Sequence, residues 1–175
     1  MVGTPLDIMT GIRGVQLLVK GYNGYSKGSR IENDKLVREE IARAAARVRS
    51  HMQTVFDTQF REGNLALARP AKRCIEECNY IIEDVNKASS GMEHAFLSGQ
   101  RSPSNKDLKK LIKHDHEVIE MITKAVNLAN SSEHSIATGE GDPRQLILET
   151  NQKITSCRGF FGARNNILSG LKTKK

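Results

Sequence analysis

Two histidines and several acids stand close together in the segment LIKHDHEVIEMI, residues 111–122, and these side chains can bind metal ions or transfer protons. If the segment is helical, His114 and His116 lie about 160° apart around its axis and cannot ligate one ion. His116 shares a face with Glu120, but lysines also lie on that face, which favours a solvated charge pair over a metal site. The Glu-x-x-His and His-Glu-x-x-His patterns are absent. We predict surface histidines and no metal or other cofactor.

Asp115 is the unusual residue of this segment, because it falls in the middle of the apolar stripe. Burying an unpaired carboxylate is unfavourable, so Asp115 requires a cationic partner on a neighbouring helix. A salt bridge that fixes the register of two helices is the first interpretation. A role in a ligand-binding cavity is the alternative.

The three cysteines are a second candidate for chemistry. Cys74 and Cys78 are one helical turn apart, and Cys157 falls at a similar height on another helix, so three thiolates could begin a zinc site. No fourth ligand is evident, since His51 is about a turn away, and no base accompanies a cysteine. We expect the cysteines to pack in the core as small apolar side chains.

Several features bear on location in the cell. An odd number of cysteines in a chain of this size fits a reducing compartment, so we expect a cytoplasmic protein. The first residues, MVGTPLDIM, lack the pattern of an export signal. No apolar run approaches the roughly 20 residues of a membrane span, and we expect neither export nor spanning.

The segment GYNGYSKGSR, residues 21–30, mixes glycines with aromatic and basic residues. It is either a mobile connector or a binding element, in which the backbone approaches phosphates and Tyr22 and Tyr25 stack on nucleic-acid bases. The Gly-Lys-Ser/Thr ending of a phosphate-binding P-loop is absent, so nucleotide hydrolysis is not expected.

The composition favours helices as the elements that position these residues, since only 5% of the 175 residues are aromatic and tryptophan is absent. Apolar residues recur at helical spacing between Gly, Pro, Ser and Asp residues that start and stop helices. We predict one domain, 1–175, with a short helix, a Gly-rich loop, four long helices and a basic tail. Their ranges are 4–20, 21–32, 33–62, 68–99, 104–138, 142–171 and 172–175.

The apolar stripes of the long helices match in pairs. If the last two helices form an antiparallel hairpin, residues at equal height have a constant sum of numbers, which pairs Leu111 with Leu168 and Asp115 with Arg164. The second and third helices match in the same way. The sequence therefore predicts an all-α fold, an antiparallel up-and-down four-helix bundle of two long hairpins with a short additional N-terminal helix. That first helix is expected to pack on the bundle; lying in a membrane surface is the alternative.

Basic residues are expected to collect at one end of this bundle. The net charge is +7 and the pI about 9.5. The register brings together the starts of the second and fourth helices, the Gly-rich loop and the tail, where acids are few. The cations predicted to bind an anionic partner there are Lys27, Arg30, Lys35, Arg38, Arg101, Lys106, Lys109, Lys110, Lys113, Lys172, Lys174 and Lys175. Two helix N-termini add positive dipole ends. The opposite end is close to charge balance.

The sequence shows no arrangement of nucleophile, base and oxyanion donors, and no small-molecule substrate is evident. We expect a non-enzymatic helical-bundle interaction or assembly protein, whose basic end docks an acidic protein partner or a like subunit. One alternative is a nucleic-acid-binding protein that contacts phosphates through the same cations. A third is peripheral binding to an anionic membrane.

Overall fold

The computed structural model describes residues 8–88, 96–99 and 104–170, except for the side chains of 165, 169 and 170. The described residues form five helices. They are α1 Ile8–Gln16, α2 Arg30–Arg61, α3 Leu65–Lys87, α4 Asn105–Thr138 and α5 Pro143–Gly170.

The four long helices form two antiparallel hairpins that pack on each other. Helix α2 packs against α3 and α4 against α5, while α2 also contacts α4, α3 contacts α5 and α1 contacts α4. Arg164 of α5 bonds both to Asp34 near the start of α2 and to Asp115 of α4. The starts of α2 and α4 therefore lie at the same end of the bundle as the end of α5. The predicted all-α bundle with a short N-terminal helix is confirmed.

Local chemistry explains where the second hairpin begins and turns. The Ser104 hydroxyl accepts the backbone N–H of Asp107 and caps the start of α4. Gly139 ends α4 in the left-handed conformation, with φ of 73°. The Asp142 side chain accepts the N–H of Gln145, and Pro143 occupies the first helical position of α5. The hairpin is thus defined by residues that the sequence already identifies.

The core runs the length of the bundle along the predicted stripes. On α4 the fully buried residues recur at helical spacing, from Leu111 through Val118 and Ile122 to Ala129. Val48, Met52, Ile81 and Val85 are equally buried on the first hairpin, and Ile154, Cys157, Phe161 and Leu168 on α5. Because each seam is apolar on one side only, the two hairpins must bury their seams against each other.

Four helix boundaries differ from the prediction by more than one residue. Helix α1 ends at Gln16 instead of residue 20. Helix α2 begins at Arg30 instead of residue 33, so three loop residues become its first turn. Helix α3 begins at Leu65 instead of 68 and ends at Lys87 instead of 99, and residues 96–99 form a turn. Ala88 leaves the helical conformation just before Ser-Ser-Gly, three residues with low helix propensity.

The early end of α3 changes the role of Phe96. Phe96 does not extend the α3 seam but is buried against the Tyr25 ring and under the Arg30 guanidinium. Other predicted positions fall outside the described residues, including the start of the first helix at residues 4–7, the last residue of the fifth helix at 171 and the tail 172–175.

Candidate interaction surface

A buried ionic network ties the elements together just inside the end where α2 and α4 begin. The Arg164 guanidinium donates from Nε to Asp115 Oδ1 at 2.9 Å and from Nη1 to Asp34 Oδ1. Arg38 Nε donates to the second oxygen of Asp34 at 2.8 Å. Both carboxylates are completely buried. Burial lowers the pKa of Arg164, but the negative charges, with Asp115 foremost, raise it more, so it stands well above its ordinary value.

The prediction that Tyr22 and Tyr25 stack on bases is wrong, because both rings lie in the core. They are 1% and 2% exposed. Both hydroxyl groups donate a hydrogen bond to Asp115 Oδ2, and the bond from Tyr22 is 3.3 Å long. The Tyr25 hydroxyl also accepts a hydrogen bond from Arg164 Nη2. Burial raises the pKa of both hydroxyls above the ordinary tyrosine value and the charge of Asp115 raises it further, so both remain protonated donors.

The network is balanced in charge and in hydrogen bonds. Its two carboxylates, Asp34 and Asp115, face two guanidinium groups, those of Arg38 and Arg164. Each of the four carboxylate oxygens accepts at least one hydrogen bond. Every carboxylate oxygen of these described groups therefore has a donor within the fold, which favours the structural interpretation of Asp115 over the cavity alternative.

The predicted cations at this end divide into three groups. Arg30 and Arg38 serve the fold: Arg30 is 9% exposed and donates to the Phe96 carbonyl at 2.9 Å, and Arg38 bonds to Asp34. Lys35 and Lys113 are exposed but lie 3.6 Å from Glu39 and Glu117. The exposed lysines that form no ion pair within the described residues are Lys27, Lys106, Lys109 and Lys110. Positions outside the described ranges are Arg101, Lys172, Lys174 and Lys175.

We call Lys27, Lys106, Lys109, Lys110 and Lys113 the basic surface. Its four α4 members follow the spacing i, i+3, i+4, i+7, which keeps them on adjoining parts of the first turns of the helix. The positive end of the α4 dipole lies among them. Asp107, whose carboxylate accepts the Ser104 hydroxyl at 2.8 Å, is the acid on these turns.

His114 is not at the surface, contrary to the prediction. Its ring stacks on Phe160 with centroids 4.6 Å apart, and Nε2 donates to the Phe160 carbonyl at 2.8 Å. Burial lowers its pKa below the ordinary 6.5. The other histidine, His116, packs against α1, where a Cβ on Gly14 would lie 2.8 Å from its Cδ2 atom. The described residues hold no cluster of three side chains suited to a metal ion.

The cysteines are buried free thiols. Burial raises the pKa of Cys157 to about 12, and its thiol faces the Val118 carbonyl at 3.8 Å. The pKa of Cys78 is also raised, first by its hydrogen bond with Cys74 and then by burial. Groups that are protonated and inaccessible are poor nucleophiles and poor metal ligands.

Sequence reasoning did not single out two basic features of the surface. Arg69, Lys72 and Arg73 border a shallow groove of about 340 Å³ on α3 with one acid, Glu76. The nearby Glu77 and Asp84 instead hold Arg158, at 3.6 and 2.6 Å. The second feature is the outward face of α1, where Arg13 accompanies exposed apolar residues. The helical spacing of Arg69, Lys72 and Arg73 was the available signal for the first.

Comparisons of the chain with protein-family models, with curated proteins and with solved structures gave no match.

Proposed function

We propose that this chain is a non-enzymatic binding module that docks an acidic partner on its basic surface. The observation that carries the proposal is the set of exposed lysines without an ion-pair partner among the described residues, three of which occupy the first two turns of α4. Like charges this close repel one another, so an acidic surface that neutralises them gains free energy.

The fold supports a binding role because it holds this surface rigidly. Helix α4 begins at a side-chain cap and is anchored about three turns further along by Asp115, which bonds to the loop and to α5 and, through Arg164, is joined to α2. The lysines therefore project from a fixed backbone. Ordering them for a partner costs only the entropy of the side chains.

The chemistry of the described interior also favours binding over catalysis. The three thiols are buried, His114 is held between Phe160 and the bundle, and the carboxylates of the network have their hydrogen bonds satisfied. The expectation of base stacking loses its support with the burial of Tyr22 and Tyr25. Phosphate contacts by the lysines do not depend on those rings, so nucleic acid stays an outcome of the experiment.

The test compares two triple variants that remove the same charge from opposite ends of the bundle. Lys106→Ser/Lys109→Ser/Lys110→Ser removes three lysines of the basic surface, and Arg69→Ser/Lys72→Ser/Arg73→Ser is the matched control. Binding of polyglutamate and of a DNA duplex is measured between about 50 and 200 mM salt. At about 0.5 kcal/mol per exposed contact, the first variant should lose about tenfold in affinity for polyglutamate.

The control variant should bind polyglutamate like the unmodified chain. Equal losses in the two variants would mean that net charge, and not this surface, attracts the partner. A preference for DNA, with a salt dependence as steep as the number of phosphate contacts requires, would assign the surface to nucleic acid.

A further inference from the structure

We propose that the acidic partner is the surface of an anionic lipid bilayer, and that the outward face of α1 inserts into it beside the basic surface. This inference rests on the proposed function and names the partner class. It depends on two independent features of residues 8–29: exposed leucines and the lack of Asp and Glu.

The apolar feature is the face of α1 that points away from the bundle. Gly11 and Val15 are buried on the inner side, where α1 contacts α4. Met9 and Leu17, on the outer side, are 56% and 85% exposed, and Leu18 is 38% exposed. The Leu17 N–H bonds to the Arg13 carbonyl at 3.1 Å, so Leu17 continues the helical spacing and lies above Arg13. Two adjacent exposed leucines form an apolar protrusion.

The charged feature surrounds that protrusion. Residues 8–29 contain no Asp or Glu, and their cations Arg13, Lys20 and Lys27 are all exposed. On α4, Lys109 lies on the same face as His116, seven residues away, and the His116 ring touches Gly14 of α1. The basic surface therefore borders α1, and Leu17 and Leu18 have cations around them.

A bilayer with acidic headgroups matches both features, because it presents negative charge at its surface and an acyl region a few ångströms below. Nucleic acid offers phosphates but no counterpart for aliphatic side chains when the candidate stacking rings, Tyr22 and Tyr25, are buried. A second copy of this face would set Arg13 and Lys20 against the same cations, which like-charge repulsion opposes.

The binding would be peripheral. Among the helices of the described residues, none combines the length and apolar character that crossing a bilayer requires. The cations attract the chain to the surface over roughly 8 Å at physiological salt, and each contributes about fivefold to affinity. The leucines act only on contact, where burying each one contributes about tenfold.

The experiment uses the full chain and vesicles of phosphatidylcholine with or without about 30% phosphatidylserine. The unmodified chain should sediment with the acidic vesicles and not with the neutral ones. Leu17→Ser/Leu18→Ser should weaken this binding about 100-fold. Leu148→Ser, at a leucine of α5 that is also exposed, is the matched control and should leave it unchanged.

A spectroscopic readout reports insertion directly. The chain has no tryptophan, so Leu17→Trp introduces the only indole. Its emission should shift to shorter wavelength on addition of acidic vesicles, because the ring moves from water into the acyl boundary. A tryptophan at Leu148 should not shift.

The outcomes separate this inference from the proposed function. Vesicle binding that survives Leu17→Ser/Leu18→Ser overturns the insertion of α1, and polyglutamate binding without vesicle binding overturns the bilayer as the partner. Either result leaves an acidic partner on the basic surface standing. If the chain binds neither polyglutamate nor acidic vesicles, both proposals are wrong. If the chain self-associates and Leu17→Ser/Leu18→Ser makes it monomeric without affecting vesicles, the face joins two copies instead.

Discussion

Replacing Asp115 with alanine tests the buried network most directly. The substitution removes one of two carboxylates that neutralise Arg164, which is 2% exposed, and it takes the acceptor from the hydroxyls of Tyr22 and Tyr25. The charge-assisted bond from Arg164 contributes about 1.5–3 kcal/mol, and each stranded hydroxyl costs about 1–3 kcal/mol. The Tyr25 hydroxyl oxygen still accepts a hydrogen bond from Arg164 Nη2, but its own proton loses the acceptor that Asp115 provided.

Relaxation and water entry reduce the sum, so we expect Asp115→Ala to lower the free energy of unfolding by about 3–5 kcal/mol, the cost of breaking a buried ion pair. That is a large part of the roughly 5–15 kcal/mol that stabilises a typical domain. The measurement is urea unfolding followed by circular dichroism at 222 nm. Glu120→Ala removes an exposed acid of the same helix, 2.8 Å from Lys124, and should cost less than about 1 kcal/mol.

A second variant separates charge from hydrogen bonding. Asp115→Asn keeps an acceptor for the tyrosines but loses the negative charge, so its cost should fall between those of Asp115→Ala and Glu120→Ala. The reasoning is refuted if Asp115→Ala unfolds at the same urea concentration as the unmodified chain, or if it is no worse than Glu120→Ala.

Two further predictions follow from His114 and from the glycine loop. Because burial lowers the folded-state pKa of His114 below 6.5, the folded chain binds fewer protons than the unfolded chain, and stability should fall as the pH drops through about 6.5 toward the folded pKa. His114→Gln retains a donor for the Phe160 carbonyl but does not titrate, so its urea midpoint should depend less on pH over that range. An unchanged pH dependence would mean that another group causes the loss of stability. Gly24→Ala should destabilise by about 1–3 kcal/mol, since φ is +73° and the new Cβ would collide with Ile12. Gly28→Ala has φ of +94° but open space, so thermal unfolding of the two variants should show the larger loss at Gly24.

The sequence by itself determined the four long helices and the pairing of the last two. Apolar spacing defines a helix face through neighbours only three or four residues apart, and Ser104, Gly139 and Pro143 end or begin helices through contacts within a turn. Asp115 was recognisable as an outlier because one carboxylate interrupts an otherwise apolar stripe. Arg164 then followed from the constant sum of an antiparallel hairpin.

The tertiary structure alone decided the rest of the network. Asp34 reads as an ordinary acid in the first turns of a helix, and its burial depends on Arg164, 130 residues away. The loop residues Tyr22 and Tyr25 have no periodicity that could indicate which side faces the core, and they bond to a carboxylate at least 90 positions distant. His114 is buried only because Phe160 of another helix covers it.

The candidate interaction surface shows the same division. The excess of lysines and the acid-free segment 8–29 are visible in the sequence. Which cations are exposed without a partner among the described residues, and which leucines stand among them, depends on how distant segments meet. Local patterns encode interactions within a helical turn, whereas the pairing of a charge or the covering of a side chain is settled by the contacts between elements that folding brings together.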